Sequence, residues 1–378
     1  MSVVTFELDA LHQPAQRRRE ELLVLAVAAV LVLVCALFVV FTVGLHTLIL
    51  QHGDNPAYLQ ITNGILGGQP LPRAKHFWGI SYVTAALVAV THVAPETAFY
   101  LLSVGSCLAA TWVVVRLWGP WVGLAFTVGN WTWIEFSAYG GAESFFALLI
   151  FLAMAQARSR RYLLAVLFAS LATTVRPVGV FLVCVLLVAA WRERGLRSAL
   201  LCGAAAAAIA LLYMAPLVRA YHDPLANVHG YQQQDWGGGS PVNLPLKAIV
   251  TNYINGRNVG NAFIKNAKAV FVLLHVAALL GLAASSELRR RFAEQPAMGA
   301  FVLLYSAFIL TYNAPWWALS IYPRLLIPVL PFLLWLYEKW LPRGWVVWTG
   351  AAWVTIVLAC GAGLGFGRAW LLLHGRTP

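Results

Sequence analysis

In a chain that is 61% hydrophobic and only 11% charged, each charged residue beside an apolar run is a candidate for chemistry. Asp54 follows the first long apolar run, in His52-Gly53-Asp54-Asn55-Pro56-Ala57-Tyr58. Glu143 opens another, Glu143-Ser144-Phe145-Phe146. Arg73, Lys75 and His76 form a basic cluster that runs into Phe77 and Trp78. Arg176 precedes Pro177 between two apolar stretches, and Arg324 lies in Tyr322-Pro323-Arg324-Leu325-Leu326-Ile327-Pro328. Each has a plainer reading: a helix cap for Asp54, a dipole partner for Glu143, an interfacial snorkel for the cations. Together they spell a different chemistry. Cations at a bilayer edge suit a lipid phosphate, and a carboxylate beside them can take a proton from an incoming nucleophile. That is group transfer from a lipid-linked phosphate carrier, with nearby cations keeping Asp54 ionised as a base must be.

A second polar stretch carries His222, Asp223 and His229 around an Asp-Pro turn. These three are candidate substrate-binding residues, as is Tyr58. Their spacing matches no strong metal-ligand pattern, so no cofactor is indicated, and a divalent metal stays open only as an alternative. The sequence contains no Walker, GxGxxG or GxSxG motif, which argues against a nucleotide cofactor.

The elements that must position these residues are membrane helices. A charged share of 11% over 378 residues is less than half that of an ordinary soluble domain and cannot coat a water-facing surface, so lipid must cover most of the chain. Mean hydropathy is +0.74. The net charge of +12 gathers in short clusters at the ends of apolar runs, as topology signals do, and not as a nucleic-acid surface. Arg17–Arg19, Arg116, Arg158–Arg161, Arg192–Arg197, Arg289–Arg291 and Lys339 with Arg343 all fall on one side if the spans are 22–50, 96–116, 117–134, 143–157, 162–176, 178–191, 198–219, 267–286, 298–313, 322–340 and 345–367. The expectation is therefore an all-α polytopic bundle of about eleven transmembrane helices, forming one integral membrane domain over residues 1–378. The run from Leu22 to Val43 reads as a retained helix, since it is too long for a signal-peptide core. Counting 79–94 as a crossing would invert every later basic cluster, so it reads as interfacial or as a broken part of the second span. The five cysteines, Cys35, Cys107, Cys184, Cys202 and Cys360, form no CxxC pair and read as helix-packing residues. With the basic clusters in the cytoplasm, the long loops 51–95 and 220–266 form an active-site face outside the membrane, which in a compact Ala-, Arg- and Trp-rich chain reads as the bacterial cytoplasmic membrane.

At these residues the chain resembles the membrane glycosyltransferases of the GT-C superfamily. Asp54, with Tyr58, resembles the catalytic acid of their first outer loop. Lys75 resembles the lipid-phosphate lysine of the lipid A aminoarabinose transferases, and Glu143 resembles their second outer acid. Thr174-Val175-Arg176-Pro177-Val178-Gly179 and the stretch from His222 to His229 look like the GPI mannosyltransferase 2 (PIG-V-like) branch and its bacterial relatives. Tyr322-Pro323-Arg324-Leu325-Leu326-Ile327-Pro328 resembles the Arg-Tyr-Leu-Leu-Pro type of motif near the end of such enzymes. The resemblance implies an inverting transfer of a monosaccharide, mannose, from a polyprenyl-phosphate donor to a glycan, lipid or protein acceptor. In it Asp54 and Glu143 are the acids, and Lys75, His76, Arg176 and Arg324 hold the phosphate. It also implies an interfacial helix in the first outer loop. The alternatives are a transporter or flippase of a lipid-linked or small polar substrate, which broken helices and intramembrane arginines would also fit, and a non-catalytic subunit of a glycan-assembly complex.

Overall fold

The computed structural model describes residues 3–42, 44–68, 76–234, 240–256, 262–315 and 317–373. Among them the chain is helical throughout, and the one extended pairing is an isolated antiparallel bridge between Val242 and Tyr312. Five helical stretches are long and apolar enough to cross a bilayer: Arg18–Phe38, Pro95–Trp118, Leu196–Tyr221, Ala262–Ala284 and Trp345–Ala362. Two bent pairs raise the number to seven if each is one span: Trp131–Ala138 with Ala142–Arg158, at 115°, and Ser286–Ala293 with Pro296–Thr311, at 114°. Gly79–Thr91, Pro120–Gly129 and Tyr162–Val175 are apolar but shorter.

The elements depart from the uninterrupted spans expected from hydropathy wherever a polar or glycine residue breaks the helix. The run at 117–134 is two short helices, Pro120–Gly129 and Trp131–Ala138, separated at Asn130. Asn130 is extended there, and its side-chain oxygen accepts from Thr132 N at 3.1 Å, which caps the second helix. The run at 22–50 likewise ends one helix at Thr42 and begins another, Leu45–Gln51, beyond a left-handed Gly44.

Exposure separates lipid-facing from internal helices. Leu200, Leu211 and Leu212 of Leu196–Tyr221, and Leu273, Leu274 and Leu280 of Ala262–Ala284, turn apolar side chains outward. In a membrane bundle such residues face hydrocarbon. Tyr162–Val175 packs against Ala142–Arg158, Val180–Arg194 and Leu196–Tyr221, so protein covers much of a helix too short to span alone. The first and last helices, Val3–Thr42 and Trp345–Leu373, pack on each other.

The basic clusters meet at one end of the bundle. Arg116 pairs with Glu21 at 3.0 Å, Arg160 with Glu193 at 3.5 Å and Arg291 with Glu338 at 3.3 Å, and Lys339 pairs with Glu287. Arg158 donates to the carbonyl of Leu117. Glu338 also lies against Gly119, where a Cβ would be 3.7 Å from its Oε1, so the N-terminal and C-terminal groups of charges join.

The first long loop folds into two helices packed on each other, Asn55–Gly67 and Gly79–Thr91. The second has 13 residues, or roughly 20 Å at 1.5 Å per residue, short of the ~30 Å hydrocarbon core. Gly79 fixes where this helix starts. A Cβ there would lie 2.7 Å from the carbonyl carbon and oxygen of Thr174, so only glycine lets the loop touch the end of Tyr162–Val175, two residues before Arg176. Gly79→Ala should push these backbones apart, costing about 1–3 kcal/mol and lowering the thermal midpoint and activity together. An unchanged midpoint would mean the contact can give way cheaply.

Candidate active site

Four distant parts of the chain deliver four charged side chains to one place. The backbone turns at Gly53 (φ 53°) and Asp54, and Pro56 starts the helix Asn55–Gly67. Asp54 occupies the N-cap position, yet its side chain makes no capping hydrogen bond, so its carboxylate points elsewhere. Glu143 lies in the first turn of Ala142–Arg158, just past a sharp bend with Gly140 at φ 80°. Asn55 staples that bend to the first loop, donating from Nδ2 to the carbonyls of Gly140 at 3.1 Å and Tyr139 at 3.3 Å. Arg176 is extended between Val175 and Pro177, since proline stops the helix and biases the residue before it away from helix. Arg324 sits in the short helix Tyr322–Leu326. Asn130 holds that helix by donating to the carbonyl of Pro323 at 3.1 Å.

These residues form a closed charge cluster. Arg324 donates from Nη2 to Asp54 Oδ2 at 2.7 Å and from Nε to Glu143 Oε1. Arg176 Nη2 donates to the same Glu143 oxygen and lies 3.6 Å from Asp54 Oδ2. His76 Nε2 is 3.5 Å from Asp54 Oδ1. The Arg324 guanidinium also covers the Phe136 ring, 4.6 Å from its centroid. The two carboxylates differ in access: the Glu143 side chain is 5% exposed and that of Asp54 is 32% exposed. Burial pushes the Asp54 carboxyl up, but the Arg324 charge, the His76 contact and the Arg176 charge outweigh it and hold Asp54 well below the usual carboxylate range.

His76 is placed by the second long loop. Asn227 Nδ2 donates to the His76 carbonyl at 2.8 Å, and Tyr213 donates its hydroxyl proton to Asn227 Oδ1 at 2.7 Å while accepting from Trp78 N at 3.1 Å. Phe77 stacks on Tyr213, with ring centroids 6.0 Å apart. Tyr58 packs edge-on against His76, and burial pushes its phenol up to about 12. His222, Asp223 and His229 are not brought to this cluster. His229 Nδ1 pairs with Asp223 Oδ2 at 2.7 Å, and Asp223 Oδ1 accepts from Leu225 N at 2.9 Å. Asp223 and His229 stabilise a turn at the start of the helix Ala226–Gln234, His222 ends the preceding helix in a left-handed conformation, and Asn227 and Tyr231 reach the site instead. Lys75 lies outside the described residues. No group of three or more His, Cys, Asp or Glu side chains poised for a metal occurs among the described residues.

The cluster opens into a cavity of about 730 Å³. Asp54, Glu143, Arg176 and Arg324 line it, together with aromatic residues that include Phe146, Tyr305, Phe308 and Trp317. Two charged lining residues had no place in the sequence reading: Glu135, whose Oε1 meets His52 Nε2 at 3.1 Å, and Lys268. Each had a visible signal, a lone charge inside an apolar run, Trp131-Thr132-Trp133-Ile134-Glu135-Phe136 and Lys268-Ala269-Val270-Phe271. Glu135 was hidden because the segment reads as a loop after a span and not as a helix lying against the cavity. A cavity of this size with an apolar wall and a charged edge suits an amphiphile with a polar head.

No protein-family model and no curated protein matches the chain. A solved structure is similar to it: the crystal structure of ArnT from Cupriavidus metallidurans bound to undecaprenyl phosphate, with a TM-score of 0.54 and 16% sequence identity. The alignment covers 88% of this chain and 63% of that one, so the chain spans less than two thirds of ArnT's length. At that identity the likeness speaks to architecture: the chain shares the all-α fold of that structure, with several helices long and apolar enough to cross a membrane.

Proposed function

We propose that the chain is an inverting glycosyltransferase that moves a monosaccharide from a polyprenyl-phosphate donor to an acceptor hydroxyl. The observation that carries the reading is the paired-charge cluster at the cavity edge, in which Asp54 alone of the two carboxylates keeps about a third of its side chain open, 32% against 5% for Glu143. The acceptor oxygen attacks the anomeric carbon and the bond from that carbon to the phosphate oxygen breaks. The electron pair leaves with the phosphate, and Asp54 takes the acceptor proton. A single in-line displacement inverts the anomeric centre and needs one base and a stabilised leaving group. Glu143 and the two arginines orient Asp54. The roles expected for Lys75, His76, Arg176 and Arg324 at the phosphate meet a constraint, since both arginines are already engaged by carboxylates. The leaving phosphate therefore gains from a cation without such a commitment.

Mannose is the sugar that the PIG-V-like resemblance favours. The collection of the basic clusters at the opposite end from Asp54 supports an acceptor on the outer face of the membrane. ArnT in the similar structure is bound to undecaprenyl phosphate, which supports a donor on the same kind of carrier here. The test uses the purified chain in liposomes with undecaprenyl-phosphate mannose labelled in the sugar, and a membrane extract as acceptor. Label should move to the extract as free undecaprenyl phosphate appears, and none should move from GDP-mannose. Labelled donor crossing the bilayer intact, without cleavage, would make the protein a transporter instead.

A further inference from the structure

Among the described residues the cavity is lined by three cations, and their commitments differ. Arg176 and Arg324 are each bound by Glu143, and Arg324 also by Asp54. Two positive and two negative charges leave that edge close to neutral. Lys268 is the exception. It lies in the second turn of the apolar helix Ala262–Ala284, half-buried, with its side chain on the cavity and no hydrogen bond or ion pair among the described residues. Glu135, the carboxylate whose field reaches it, is engaged by His52 at 3.1 Å. A half-buried ammonium group without a partner is costly to keep in an apolar helix, and such residues mark ligand sites by default. It sits near the polar end of that helix, within one turn of Lys265 and Asn266, and a lipid likewise carries its phosphate at the polar edge of the apolar layer.

We propose that Lys268 is the direct binding partner of the lipid-linked phosphate in this cavity, facing the cluster where Asp54 works. The inference rests on the glycosyltransferase reading for the identity of the lipid, while the need for an anion follows from the uncommitted charge itself. Lys268 then serves the reaction twice. It holds the donor with its anomeric carbon toward Asp54, and it neutralises the charge that grows on the phosphate as the glycosidic bond breaks. The separation of tasks follows: the arginines orient the carboxylates, and the lysine meets the phosphate.

The test measures lipid occupancy by native mass spectrometry, with the full chain in phosphatidylcholine nanodiscs. Undecaprenyl phosphate, undecaprenol and phosphatidylglycerol are titrated separately. The wild type should bind undecaprenyl phosphate at least roughly tenfold tighter than undecaprenol, the effect expected of one charge-assisted hydrogen bond. Lys268→Met should abolish that preference, Lys268→Arg should keep most of it, and neither should lower the thermal midpoint, since Lys268 makes no hydrogen bond or ion pair among the described residues. Lys268→Gln provides the same loss of charge should the Met variant fail to fold. A preference that survives in both neutral variants would overturn the assignment of Lys268 and leave the glycosyltransferase reading standing. A wild type that does not distinguish the phosphate from the alcohol would sink that reading as well. Phosphatidylglycerol binding as tightly as undecaprenyl phosphate would mark an ordinary headgroup site and overturn the assignment to the donor.

Discussion

Asp54→Asn should reduce kcat by roughly 10²–10⁴ while leaving donor affinity within a fewfold of wild type. The asparagine keeps the size of the side chain and can still accept from Arg324, so the loss isolates basicity. A purely structural Asp54 would behave differently. Its side chain makes no cap hydrogen bond, so as a turn residue it would have little to lose and turnover would survive. The pH profile adds an independent reading. Burial pushes the carboxyl up, and Arg324, His76 and Arg176 pull it further down. Asp54 thus stays deprotonated as pH falls through the ordinary carboxylate range, and kcat/KM should show no acid limb at about pH 4 from this group. Glu143→Gln is the comparison. Glu143 accepts from both arginines and is nearly closed to the cavity, its side chain 5% exposed. Its loss should loosen the cluster and depress activity through Asp54. If Asp54→Asn turns over within a fewfold of wild type and Glu143→Gln is dead, the base is Glu143.

The four charged residues of the cluster were legible in the sequence because a chain with so few charges makes each one conspicuous, and Pro177 marks where a helix stops beside Arg176 and Pro323 where another begins beside Arg324. Their meeting in space was not legible. It depends on contacts no local pattern encodes: Gly79 against the Thr174 backbone, Asn55 on the carbonyls of Tyr139 and Gly140, and Asn130 on that of Pro323. Asn130 also shows why hydropathy joins what the fold divides. A single asparagine hardly lowers the average over a window, yet its side chain caps a new helix and breaks the span. His222, Asp223 and His229 show the converse. Titratable residues near one another resemble a site in sequence, but a carboxylate two residues before a backbone N–H, with a histidine four residues further on, builds a turn. The residue of that loop that does hold the first loop, Asn227, is neutral and carries no motif of its own.

The largest effect on stability should come from Arg324→Gln. The Arg324 side chain is 14% exposed and satisfies both carboxylates. Without it, Asp54 and Glu143 share Arg176 alone, and one negative charge is left uncompensated. Breaking a buried ion pair this way costs about 3–5 kcal/mol, and the partial exposure of Asp54, 32%, brings the figure toward the lower end. The pH dependence has a definite sign. In the wild type the depressed Asp54 contributes stability that is present above the ordinary carboxylate value and is lost only as pH falls through its lower folded value. In Arg324→Gln the strongest of the lowering influences is gone, burial is less opposed, and the Asp54 value rises. Protonation then relieves the surplus charge. The gap between the thermal midpoints of wild type and variant should be widest at neutral pH and should narrow as pH falls toward about 4. Adding Asp54→Asn to Arg324→Gln removes one charge of each sign, so the double variant should be more stable at neutral pH than Arg324→Gln alone, with a coupling of about 0.5–3 kcal/mol. Thermal unfolding of the four proteins in one detergent at two pH values supplies every term. A gap that stays constant with pH, or a double variant no more stable than Arg324→Gln, would mean that Arg324 holds the fold through its packing on Phe136 and not through the carboxylates it joins.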